Sequence, residues 1–362
     1  MKSELTLVEL AQELDRQRHA KKDYLASETA LEARTVPDDG GIRTVVLDID
    51  QVGEHTLTPH AHGQIGTYLG IPRHYYGKML ASAPDLLCAN LNHWLHQHND
   101  SQRLVRTLDG SVRGFLSNRY RPLDHFEFAE AALQEMQQVG DIQVESAAIT
   151  DTRMYLKAVS SRMEGEVRTG DIVRWGIALS NSEVGAGKLR IDPLVYRLVC
   201  TNGAVAREHL GTYARRHVGS KVISNLDVSP LLSDEAREAD DRAFWLATRD
   251  LIRSIFDWER FQSVLETWRA AATREIKVEV PRVVEVTLKH HKLPETMQGG
   301  ILDHLIRAGD LSQYGLGNAF TRYAQDLESY ESATHLEEIG ADVMAMDERA
   351  WSRLTELATA LS

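Results

Sequence analysis

Two groups of basic side chains carry the chemistry that residue type and spacing offer in this chain. Between residues 102 and 121 stand Arg103, Arg106, Arg113, Arg119 and Arg121 against Asp109 alone, with Tyr120 between the last two arginines. Between residues 186 and 221 stand Lys188, Arg190, Arg197, Arg207, Arg215, Arg216 and Lys221 against Asp192 and Glu208. Guanidinium forks donate paired hydrogen bonds to phosphate oxygens. Tyr120, Trp175 and Tyr196 are interleaved with them and would offer ring faces for base stacking. The chemistry expected is therefore the holding of single-stranded DNA, with no catalytic residue, metal or cofactor required.

Other constellations point elsewhere. His93 and His96 would share a helical face as a metal pair, yet no cysteine or carboxylate stands at a zinc spacing beside them. Gly185-Ala-Gly-Lys188 has the residue types of a phosphate loop without the GxxxxGK[ST] spacing, and a glycine turn explains it as well. Cys200 could act as a nucleophile with His209, although a cysteine in Leu-Val-Cys is more often core. Glu183, Asp192 and Asp124 could hold Mg²⁺. The rival reading is thus a metal-dependent nucleic-acid-processing enzyme using Glu183, Asp192 and His209, and a third is a non-catalytic structural or defence-related oligomer.

The elements that must position these residues are β-rich. Ile172–Leu179 and Leu189–Thr201 are apolar, β-branched runs around Ser180-Asn-Ser-Glu-Val-Gly-Ala-Gly-Lys188, which predicts antiparallel strands joined by an elaborated loop. The second run ends at Cys200-Thr-Asn-Gly203, expected to turn. Arg103–Leu108 and Val112–Ser117 flank Asp109-Gly110, a strong two-residue hairpin signal. A regular register would set Thr107 opposite Val112, Arg106 opposite Arg113, and Leu104 facing Phe115. Two facing arginines repel, so they must splay into water, meet carboxylates such as Asp124 or Glu127, or clamp an anion.

Upstream, Leu7, Leu10 and Leu14 have helical spacing and predict a loosely docked arm. Ile42–Ile49 reads as a strand, His60–Leu69 and Tyr75–His98 as helices, Leu123–Val139 as a helix, and Ile142–Ile149 with Arg153–Val159 as a second hairpin turning near Thr150-Asp151. From Asp234 onward the pattern is helical: Asp234–Phe256, Trp258–Thr273, Pro281–His290, Thr296–Ala308, Gly317–Ser329 and Ala333–Ala360. Trp245, Trp258 and Trp268 are expected in the core. The fold class expected is α+β, an antiparallel hairpin sheet packed with helices and followed by a mostly helical C-terminal region. The organisation expected is an arm over 1–24, a core domain over 25–225 and a helical region over 226–362.

The 362 residues, 43% hydrophobic and 26% charged, suit a folded chain with a sizeable core. A net charge of −12 excludes a wholly basic coat but allows a basic face on an acidic body. Nine acidic residues against Arg349 and Arg353 in residues 325–362 make the tail the acidic part, expected to dock on a neighbour or on the chain's own basic face. No run approaches the roughly 20 apolar residues of a membrane span. Two widely spaced cysteines, Cys88 and Cys200, give no disulfide framework, so a cytoplasmic setting is expected.

Four segments together resemble a phage/plasmid-like protein family of unknown function. They are Arg103–Asp124 (RLVRTLDGSVRGFLSNRYRPLD), Ser180–Gly187 (SNSEVGAG), Tyr196–Gly203 (YRLVCTNG) and His60–Pro72 (HAHGQIGTYLGIP). The resemblance runs from about Leu25 to Lys221. It implies a mobile-element context of DNA replication, recombination or host defence, and brings no assigned chemistry. A remoter similarity, to the single-strand annealing recombinases, implies an oligomer that binds and anneals single strands.

Overall fold

The computed structural model describes residues 5–37, 43–97, 101–198, 202–205 and 234–360. It opens with helix α1 (Leu7–Ala20), started by a capping box in which Thr6 and Glu9 satisfy each other's backbone amides. Leu10 and Leu14 are buried, while Leu7 faces outward.

Six strands form the first sheet: β1 (Lys22–Ser27), β2 (Leu31–Pro37), β3 (Arg43–Ile49), β4 (Gly53–Leu57), β5 (Gln102–Leu108) and β6 (Ser111–Ser117). Their order is β1-β5-β6-β4-β3-β2, antiparallel except for the β4–β6 pair. Helices α2 (Pro59–Tyr68), α3 (Arg73–Ser82) and α4 (Pro84–Leu95) join its core, with Ile65, Leu87 and Leu91 against Leu47, Val105 and Phe115. The single helix expected over Tyr75–His98 is two. Pro84 lacks the amide a continuous helix needs, and it sits instead in the first turn of α4, where that amide has no use.

The β5–β6 hairpin turns at Asp109-Gly110, with φ of 51° and 78°. Positive φ at both central residues is the type I′ turn that matches strand twist. Thr107 pairs with Val112 and Leu108 with Ser111, as expected, but a bulge follows and Arg106 lies opposite Gly114. Arg106 and Arg113 are therefore not paired, and Leu104 faces Leu116 in place of Phe115.

After α5 (His125–Val139) comes the second sheet: β7 (Ile142–Ile149), β8 (Met154–Glu166), β9 (Ile172–Asn181), β10 (Arg190–Arg197) and β11 (Asn202–Val205). It is antiparallel in the order β11-β10-β9-β8-β7. The strand stops and the chain reverses between Arg197 and Asn202, but Asn202 and Gly203 themselves belong to β11, pairing with Arg197 and Tyr196. One face packs on α5, α6 (Asp234–Ile255) and α7 (Trp258–Thr273). This core holds Trp175, Phe128, Leu156 and Phe261, and also Leu10 and Leu14, so α1 is packed into it.

Helices α8 (Val280–His290), α9 (Gln298–Ala308), α10 (Gln313–Tyr323), α11 (Tyr330–Ala345) and α12 (Glu348–Ala360) build a third apolar cluster around Val283, Leu305, Phe320 and Leu336. The helix expected over Ala333–Ala360 breaks after Ala345, and Asp347 caps the restart by accepting from the Ala350 amide at 2.7 Å. Trp268 is core as expected, Trp245 is half-buried, and Trp258 is 50% exposed. The fold is α+β with a helical C-terminal region. Among the described residues no helix is long and apolar enough to cross a membrane.

Candidate functional site

Two loops cross at one place. The Arg119–Asp124 segment leads from β6 to α5, and Ser182–Leu189 joins β9 to β10. Tyr120 links them: its hydroxyl donates to the Ser182 carbonyl and accepts from the Gly185 amide, both at 3.2 Å. The Val184 carbonyl accepts from His60 Nε2 at 2.9 Å and Gln64 Nε2 at 2.7 Å. Ser182 Oγ accepts from the Val184 and Ala186 amides. With these amides engaged internally, Gly185-Ala-Gly187 is a pinned turn and not a phosphate cradle.

Beneath the crossing lies an ion-pair network. Arg106, 0% exposed, donates at 2.8 Å to Asp23 Oδ1, Asp124 Oδ1 and the Glu183 carbonyl. Arg113 pairs with Glu183 Oε2, and Glu183 Oε1 accepts from the His125 amide at 2.6 Å. Lys21 Nζ lies 2.5 Å from Asp124 and 3.6 Å from Glu183. Lys21, Arg106 and Arg113 thus meet Asp23, Asp124 and Glu183, three charges against three. Burying a charge is costly unless it is paired and hydrogen-bonded, and that is the condition met here.

The proton affinities follow. Burial would raise the Glu183 carboxyl, but His125, Arg113, Lys21 and Arg106 outweigh it and hold it far below the usual carboxylate range. Asp124 is also lowered: burial opposes ionisation, and Arg106 and Lys21 overcome it. Burial pushes His125 down to about 4. Its Nδ1 is 3.1 Å from Asn181 Nδ2, which also donates to the Leu123 carbonyl at 2.7 Å, so a neutral ring accepting at Nδ1 fits the contact.

This arrangement corrects several expectations. Arg106 and Arg113 do not face solvent or clamp an outside anion; they meet carboxylates, as in the alternative that named Asp124, Arg106 through Asp23 and Asp124 and Arg113 through Glu183. Arg190 lies between Asp192 and Glu338, and Arg197 is bidentate on Asp171. Arg103 stacks over Tyr68 and Phe115, its guanidinium carbon 3.9 Å and 4.9 Å from the ring centroids. Trp175 is fully buried and donates to the Ile255 carbonyl, so it stacks no base, while Tyr196 is half-buried against a small apolar cluster. Glu183, Asp124 and Asp192 each hold a cation of the chain itself, and among the described residues no group of three or more His, Cys, Asp or Glu is disposed to hold a metal. His96 Nε2 is committed to the Leu31 carbonyl, and His93 meets Gln97.

Of the basic residues singled out, Arg119 and Lys188 are exposed and Arg121 half-buried, all beside the crossing. Arg207, Arg215, Arg216 and Lys221, with Cys200 and His209, lie outside the described residues. Lys21, Asp23, His125 and Asn181 were not foreseen as members of the network. A signal existed: Arg106 and Arg113 sit inside apolar strand runs, which demands buried partners.

No curated protein and no solved structure matches the chain. A family model described as a domain of unknown function, DUF932, matches residues 112–321, which include Arg113, the Arg119–Asp124 segment and Glu183 but not Lys21, Asp23 or Arg106. With more than half of its length matched, the chain belongs to the DUF932 family.

Proposed function

We propose that the chain is a non-catalytic single-stranded DNA-binding protein of phage or plasmid type, acting as an oligomer that anneals strands. The observation that supports this reading is the Tyr120–Gly185 crossing, which joins the loop carrying exposed Arg119 and half-buried Arg121 to the loop carrying exposed Lys188, over a charge-balanced scaffold. A local basic face is what an acidic protein needs to attract phosphates, because opposite charges more than about 10 Å away are screened at moderate salt. Arg207, Arg215, Arg216 and Lys221 follow β11 in the sequence and extend the supply of basic residues. The enzyme reading is less favoured because Glu183, Asp124 and Asp192 would each have to abandon an ion pair to ligate Mg²⁺.

The test is a labelled oligonucleotide mixed with the full chain, with and without Mg²⁺, run on native and denaturing gels. A native shift with intact DNA is expected in both conditions. Shortened products appearing only with Mg²⁺ would favour the enzyme, and the absence of any shift would overturn DNA binding.

A further inference from the structure

The two open sheets end in four edge strands, β1 and β2 in the first and β7 and β11 in the second. An uncovered edge is a row of unpaired amides and carbonyls with which another chain can pair, so proteins cover it. This chain covers three of its four. On β2, Asn92 of α4 acts as a substitute strand. Its Oδ1 accepts from the Ala33 amide at 2.7 Å, and its Nδ2 donates to the Ala33 carbonyl at 2.9 Å. The Leu31 carbonyl beside it accepts from His96 Nε2. On β7, the Ala147 carbonyl accepts from the Leu5 amide at 2.8 Å. On β11, α11 packs against the strand and Asn202 bonds to Thr321 of α10.

Strand β1 is the exception. Among the described residues it pairs with β5 alone. The Glu28 amide donates to the Ser101 carbonyl on the β5 side. Backbone groups alternate sides along a strand, so Lys22, Tyr24 and Ala26 also turn theirs toward β5, while Asp23, Leu25 and Ser27 turn theirs outward. Among the described residues nothing hydrogen-bonds to those outward backbone groups. The side chains mark the same edge. Tyr24 and Ala26 join the first sheet's core, so Leu25 stands on the sheet's opposite face. The registers set Leu116, Leu104 and Leu25 in one row across β6, β5 and β1. Leu116 is buried, Leu104 half-buried and Leu25 58% exposed. The apolar row thus runs to the open edge and stops on a residue whose backbone also points outward.

We infer that the row continues into a second copy of the chain, through antiparallel pairing of β1 with β1 about a two-fold axis at Leu25. Outward groups can pair only with outward groups. Centred on Leu25, the pairing sets Leu25 opposite Leu25 and Asp23 opposite Ser27, and it uses every outward group in about six hydrogen bonds. Every other centre leaves at least one of the three outward residues without a strand residue opposite, and centring on Asp23 also opposes two carboxylates, which is destabilising. A second copy is the partner that brings an equally open edge and its own exposed leucine, the self-complementary contact of a two-fold dimer. The inference rests on the proposed reading only for the use of the dimer in annealing. Its test contains no DNA, so the two fail separately.

The experiment is sedimentation velocity on the full chain over a concentration series. A reversible monomer–dimer equilibrium is expected. Leu25→Lys sets two ammonium groups against each other across the axis while changing a side chain that is already in water in the monomer. It should weaken self-association by at least about tenfold, with the far-UV circular dichroism unchanged. Leu25→Cys places two cysteines with Cα atoms about 5.5 Å apart, within disulfide reach. Under mild oxidation it should give a cross-linked dimer faster than the wild type and faster than Val52→Cys, an exposed position in the β3–β4 turn. A chain that is monomeric at every concentration, self-association that Leu25→Lys leaves unchanged, or Leu25→Cys cross-linking no faster than Val52→Cys overturns the inference.

Discussion

Arginine inside an apolar strand has two explanations, an exposed functional face or a buried partner, and Arg106 and Arg113 take the second. Glu183 is the residue on which this depends, because Arg113, Lys21 and the His125 amide all converge on its carboxylate. Glu183→Gln keeps the shape but leaves Arg113 buried without a counter-charge. Breaking a buried pair costs about 3–5 kcal/mol, so a large fall in the urea midpoint is expected; an unchanged midpoint would mean the network contributes nothing. Stability should also fall on acidification, in two stages. His125 has its proton affinity lowered from 6.5 to about 4 on folding, so between those values the unfolded chain binds a proton that the folded chain refuses. Stability from this group is complete above 6.5 and declines toward 4. Glu183, whose ordinary value is 4.5, is lowered too, so its contribution is complete above 4.5 and is lost below. Urea midpoints across this range should show the decline, and His125→Gln should reduce the upper stage without removing it, since burial also lowers His62 and His291 to about 4. The sequence made Arg106, Arg113, Asp124 and Glu183 visible as chemistry-bearing, with Asp124 as one candidate partner, but not Lys21 or His125, because partners such as Lys21 and Glu183 are 162 positions apart in the chain.

At the scale of elements, the most legible features were those with local causes. Asp109-Gly110 forms its hairpin because both residues accept positive φ. Gly110→Ala should cost about 1–2 kcal/mol, the strain of a left-handed conformation with a Cβ, visible as a lowered melting temperature. The bulge between Arg106 and Thr107 was missed, although Gly114, an isolated glycine in a strand run, marks it, and the bulge separates Arg106 from Arg113. Strands β1 and β4 were missed because Lys22-Asp-Tyr-Leu-Ala-Ser27 and Gly53-Glu-His-Thr-Leu57 are short and polar, and exist through pairing with β5, β3 and β6. The α10–α11 crossing is another element that depends on distant packing. A Cβ on Gly340 would stand 2.5 Å from Thr321 Cγ2 and 2.6 Å from the Gly317 carbonyl. Alanine in an open helix position gains about 1 kcal/mol over glycine, but overpacking here costs about 1–3 kcal/mol. Gly340→Ala should therefore destabilise the chain in thermal unfolding, and stabilisation would show that the two helices separate easily.

On the scale of the whole molecule, the α+β class and the helical C-terminal region were readable from periodicity, whereas the joining of the parts was not. The N-terminal segment looked like an arm because its helix is short and polar, yet Leu10 and Leu14 enter the second sheet's core and Lys21 and Asp23 complete the network. A chain lacking residues 1–24 should unfold at a markedly lower urea concentration, and an unchanged midpoint would restore the picture of a detachable arm. The acidic tail likewise docks on the chain itself, with Glu337 on Lys157 and Glu338 on Arg190. The proposed DNA contact that can be tested on the described residues is Arg119, Arg121 and Lys188, on the two loops that cross at Tyr120. Fluorescence anisotropy of a labelled single strand, titrated at a series of salt concentrations, tests that most directly. The account predicts steep salt dependence for the wild type and, for Arg119→Ala/Arg121→Ala/Lys188→Ala, weaker binding with a log–log slope shallower by about 2, since each phosphate contact on a single strand contributes roughly 0.7. The same affinity and slope in the folded triple variant, or no binding by the wild type at low salt, would contradict it.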